Sequence, residues 1–87
     1  ETGHEGLLEL KKHDKENQTQ YMETLRVYLE QHLSATQAAR ELFIHRSTFL
    51  YRLDRIKEIL QSELDDPEEI FYLELSFRLL EQEREKE

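Results

Sequence analysis

Two glycines and one proline in 87 residues leave this chain almost without the residues that end helices. Leucine, glutamate, glutamine and arginine are abundant, so composition points to helices joined by short connections. The expected fold class is all-α, a small helical domain of about five helices. A chain this short buries a thin core, which a neighbouring domain or a second copy would help to complete.

Apolar spacing places the elements. Leu7, Leu8 and Leu10 suggest a short helix over Gly6 to Lys12, within a lead segment of residues 1–17, and His13 to Gln18 reads as a polar break. From about Thr19 to His32, Met22, Leu25 and Leu29 form one apolar stripe, flanked by Tyr21 and Tyr28. Ser34 with Gln37 three residues later fits a capping box, and a helix over Ala35 to Leu42 follows. Ala38 and Ala39 are small enough to let another helix approach. Phe43 to His45 interrupts the pattern, and Arg46 to Leu60 resumes it with Phe49, Leu53, Ile56 and Leu60 on one side and Ser47, Tyr51 and Asp54 opposite. A polar connection leads to Asp66-Pro67-Glu68-Glu69, a cap, a first-turn proline and two acids suited to a helix N-terminus. The last helix, 67–83, carries Ile70, Phe71, Leu73, Leu75, Phe77, Leu79 and Leu80 over an arc too wide for one contact. That makes it the candidate dimer surface, unless the arc only packs on the N-terminal helices. The charged run 81–87 is expected to fray.

The net charge of −8 argues against a nucleic-acid partner, but its distribution does not. Residues 1–35 carry seven acids and four bases, 36–43 balance, 44–57 carry four bases and one acid, and 58–87 carry eleven acids and three bases. The basic segment coincides with the second helix of what reads as a helix-turn-helix, a unit spanning 35–60. Such a unit needs small residues in its first helix and apolar residues around the turn and along the inner side of the second. Ala39, Leu42, Ile44, Phe49 and Leu53 supply them. Phe43 departs from the glycine often found at the turn, at a cost of about 1 kcal/mol if it takes positive φ.

The donors then suggest roles. Arg46, Ser47 and Thr48 fill the first turn of the second helix, where side chains and free N–H groups meet phosphates or base edges. Leu50 and Tyr51 are placed to touch bases, while Arg52, Arg55 and Lys57 suit the flanking backbone. Arg52 could instead pair with an acid of the last helix. Thr36 and Gln37 form a second phosphate contact, and His45 sits at the cap.

His45-Arg46-Ser47-Thr48-Phe49-Leu50-Tyr51-Arg52-Leu53-Asp54-Arg55-Ile56 resembles the C-terminal signature of PucR/CdaR-type bacterial transcription regulators, His-Arg-Asn-Thr-Leu-x-Tyr-Arg-Leu-x-Arg-Ile. Ser47 stands where asparagine is usual, and Phe49 where leucine is usual. Leu7 to Asp14, Thr24 to Leu29, Leu64 to Glu68 and Leu73 to Leu80 extend the resemblance over nearly the whole chain. It implies a Fis-like helix-turn-helix that binds operator DNA for catabolic genes, often as a homodimer. It also implies a domain of residues 18–87 following the lead segment, in a fragment of a larger regulator whose effector binds elsewhere.

Other chemistry has little support. His4, His13, His32 and His45 lack metal-ligand spacing, and without cysteine there is neither a thiolate site nor a disulfide framework. The acids at 63–69 lack the glycine and alternation of a calcium loop. No serine has a nucleophile context, so neither an enzyme nor a cofactor is expected. No apolar run approaches a bilayer span and no signal-peptide pattern opens the chain, so the expected setting is cytoplasmic. The rival reading is an acidic helical adaptor that binds a protein partner without DNA.

Overall fold

A computed structural model describes residues 4–86, so Glu1-Thr2-Gly3 and Glu87 lie outside the described residues. Five helices follow in order: α1 (Glu5–Asn17), α2 (Tyr21–Glu30), α3 (Ala35–Leu42), α4 (Arg46–Leu60) and α5 (Pro67–Lys86). Among the described residues there is no strand. The all-α expectation holds, and the bounds of α3 and α4 coincide with those expected.

The polar break expected at His13 is not there, because polarity alone does not stop a helix. α1 runs on to Asn17, whose Nδ2 donates to the His13 carbonyl, and ends where Gln18 turns left-handed at φ 54°. Its polar last turn is used instead to begin α2. Asp14 accepts the backbone N–H groups of Tyr21 and Met22 at 2.9 and 2.8 Å, so a carboxylate from α1 caps α2. His13 stacks on Tyr21 with ring centroids 5.1 Å apart.

α2 lies at the centre, against α1, α3, α4 and α5. One apolar stripe could not serve four neighbours, and burial has spread accordingly. Tyr21, Thr24, Leu25, Val27 and Leu29 are buried, whereas Met22 of the expected stripe is only half-buried. α1 and α4 pack closely at Gly6, where a Cβ would stand 3.1 Å from Leu60 Cα, tighter than ordinary contact. Leu7, Leu10, Leu25, Phe49, Ile56 and Leu73 form the dry centre, each worth about 1.5–3 kcal/mol on burial.

The connection after α4 is less polar than it reads, since Leu64 is buried in the core. Asp66 Oδ1 caps α5 by accepting the Glu68 N–H at 3.0 Å. α5 continues through Lys86, so the charged run expected to fray is helical as far as described. Its wide apolar arc divides. Leu73, Ser76 and Phe77 are buried, on the side that meets α2, while Phe71, Leu75 and Leu79 remain exposed.

Candidate nucleic-acid interface

The site begins with two helix N-termini. Ser34 Oγ accepts the Gln37 N–H at 3.2 Å, half of the expected capping box. The other half is replaced, because the Ser34 N–H donates to the Gln31 carbonyl. α3 then ends in a Schellman arrangement: the Ile44 N–H reaches the Ala39 carbonyl and the Phe43 N–H that of Arg40, with Phe43 left-handed at φ 59° and ψ 42°. Phe43 thus does what glycine does in many such turns. Its side chain is 94% exposed, so the ring gains no burial that would offset the strain.

This turn carries the chain from α3 into α4 and brings the two N-terminal ends together. Arg46 Nε donates to Thr36 Oγ1 at 3.2 Å, joining the first turn of α4 to the first turn of α3. Thr36, Gln37, Arg46, Ser47 and Thr48 are all exposed around this contact. His45 is the N-cap of α4 and its side chain makes no capping bond, so the first-turn N–H groups of α4 keep their donor capacity for solvent or an anion. Leu50 and Tyr51 follow one turn on, Tyr51 62% exposed.

The expected residues further along α4 do not all join this surface. Arg52 is half-buried, and its NH1 donates to Thr24 Oγ1 of α2 at 3.1 Å, a partner that is neither an acid of the last helix nor open to solvent. Arg55 pairs with Glu58 at 2.6 Å, and that hydrogen bond and charge hold its guanidinium above the ordinary value. Lys57 is half-buried in the last turn. Asp54 and Glu58 occupy the outward side of the same half of α4, so positive potential concentrates at the N-terminal end. Sequence reasoning passed over Arg40. It is exposed, and lies four residues after Thr36 and three after Gln37, which places it on their face of α3; the spacing was the available signal.

The model of the PucR C-terminal helix-turn-helix domain matches residues 21–79. Among characterised proteins, the purine catabolism regulatory protein of Bacillus subtilis is 41% identical over 58 residues, 67% of this chain and 11% of that protein. The proline-responsive transcriptional activator PutR of the same organism is 39% identical over 57 residues, 66% of this chain and 14% of its own length. The DNA-binding transcriptional activator AdeR, also from Bacillus subtilis, is 32% identical over 73 residues, 84% of this chain and 17% of its length. The chain therefore spans less than a fifth of these relatives. No solved structure matches it.

Proposed function

The chain belongs to the PucR C-terminal helix-turn-helix family, and from that premise we propose that it is the module with which a larger regulator of catabolic genes reads duplex DNA. The N-terminal half of α4 enters the major groove. Arg46, Ser47, Leu50 and Tyr51 face base edges, and Thr36, Gln37, Arg40 and Thr48 meet phosphates on either side. His45 stands at the groove's edge. Arg55 and Lys57 reach backbone only as α4 leaves the groove, and Arg55 must first exchange Glu58 for phosphate. Arg52 supports the reading head from behind.

The observation that carries this reading is the junction of the α3 and α4 N-termini through Arg46 and Thr36, where exposed polar donors collect around an arginine in an acidic chain. Two helix dipoles favour phosphate there, and the first turn of α4 has no side-chain cap, while the acids of α5 lie on another element. The module acts without catalysis, cofactor or metal. No helix among the described residues is long and apolar enough to cross a membrane, and the proposed setting is the cytoplasm. Effector binding belongs to a part of the regulator outside this chain.

Selection of bound sequences from a random duplex pool tests the reading. Recovery of one motif, or of two half-sites about one helical turn apart, is expected. Failure to enrich any sequence, with the chain also tested as a forced dimer, would favour the acidic adaptor.

A further inference from the structure

The arginines of this domain are held in different ways. Arg26 is bonded by Glu23 and Glu30, each at 2.6 Å, and Arg55 by Glu58, so carboxylates take up their donors and offset their charge. Arg52 turns inward to Thr24. Among the described residues, Arg46 is the arginine that is both exposed and anchored by a neutral group. Its Nε donates to Thr36 Oγ1 at 3.2 Å, and no described residue takes its two Nη atoms.

Thr36 is the second residue of α3 and Arg46 the first of α4, so this bond ties a side chain of one rigid element to another. A β-branched side chain is stiff at χ1, which fixes the acceptor. With Nε held, the free edge of the planar guanidinium is the pair of Nη atoms, two parallel donors. Only one base edge in the major groove matches two parallel donors. Guanine sets O6 beside N7, both acceptors; adenine sets a donor beside its acceptor, cytosine offers a donor, and thymine a single acceptor. We propose that Thr36 is a positioning residue that aims Arg46 at a guanine, whose O6 and N7 receive the two Nη atoms. The inference rests on the DNA-binding reading and names the base that this part of the site selects.

A hydroxyl suits this task better than a carboxylate. A carboxylate would occupy two donors of the fork and cancel the charge, as Glu23 and Glu30 do at Arg26. Thr36 takes one donor and leaves the charge whole. A threonine hydroxyl also carries one proton of its own, so while it accepts from Arg46 it can donate to a phosphate. The same atom then sets the distance from the DNA backbone to the base that Arg46 reads. Holding Arg46 before DNA arrives also reduces the side-chain freedom lost on binding, which favours the aimed rotamer over the others.

The test is selection from random duplexes by the wild-type chain and by four variants whose far-UV circular dichroism matches it. The wild type enriches a motif with a fixed guanine. Arg46→Lys keeps the charge but loses the fork, and lowers the preference for that guanine about tenfold. Thr36→Val removes the acceptor at nearly constant shape and lowers the same preference about threefold to tenfold, leaving the other positions of the motif as they were. Thr36→Ala behaves like Thr36→Val, and Thr36→Ser restores the preference. A wild-type chain that enriches no sequence overturns the DNA-binding reading and this inference together. An enriched motif in which no guanine depends on Arg46 overturns the inference alone. So does a Thr36→Val motif that is unchanged, or weakened equally at every position, since a plain phosphate contact would do the latter.

Discussion

Arg46 and Arg52 are the same residue type six positions apart on one helix, and the structure gives them different work. Arg46 is exposed and anchored on Thr36, whereas Arg52 turns back to Thr24 of α2. Arg46→Ala is therefore expected to weaken operator binding and to relax its sequence specificity, without changing the melting temperature. Arg52→Ala should lower stability by about 1 kcal/mol in urea denaturation, because a part-buried hydrogen bond is lost. If the two variants exchange these effects, the assignment of the reading surface is wrong. Phe43 gives a third expectation. Its positive φ and bare side chain mean that Phe43→Gly should stabilise the fold by about 1 kcal/mol, read as a higher urea midpoint at constant slope.

The elements were legible in proportion to how local their signals are. Ser34 caps α3 from its own N-cap position and Asp66 caps α5 in the same way, so both starts could be read directly. The start of α2 could not, because its cap comes from Asp14 on the preceding helix, seven and eight residues before the N–H groups it holds. For the same reason the end of α1 was misplaced: its polar residues look like a linker until their partners are known. Asp14→Ala should cost about 1–2 kcal/mol, seen as a lower urea midpoint with early loss of amide protection at Tyr21 and Met22. Unchanged protection there would remove Asp14 from this role. The α4 boundaries were legible from the Phe49, Leu53, Ile56 and Leu60 spacing, but which of its arginines face outward was not. Spacing gives a direction around the helix, and a long side chain can still bend toward a neighbour.

Across the whole molecule, the described N-terminal end is tied to α5. His4 Nε2 donates to Glu69 Oε2 at 2.8 Å, and Ser62 Oγ donates to the other oxygen of the same carboxylate. Burial pushes the Glu69 pKa up, but the bonds from Ser62 and His4 and the charge of His4 outweigh it, leaving the carboxyl below its ordinary value of 4.5. A folded-state value below the unfolded one means that Glu69 adds stability fully above that ordinary value. The contribution is lost as pH falls through the lower, folded value. His4→Ala should therefore flatten the acid limb of a stability-versus-pH curve below about pH 5, and an unchanged limb would show that the pair does not couple to folding.

The helical class, the α3 and α4 bounds, the caps of α3 and α5 and the segregation of charge were determined by the sequence alone. Each depends on residues within a turn or two of one another. Only the tertiary structure decided that α2 is buried on most of its circumference, that Leu64 enters the core, that Arg46 joins Thr36 while Arg52 retreats to Thr24, and that α5 shows a second apolar face to solvent. These outcomes depend on which helices become neighbours, and periodicity along one helix carries no information about how many others will pack around it.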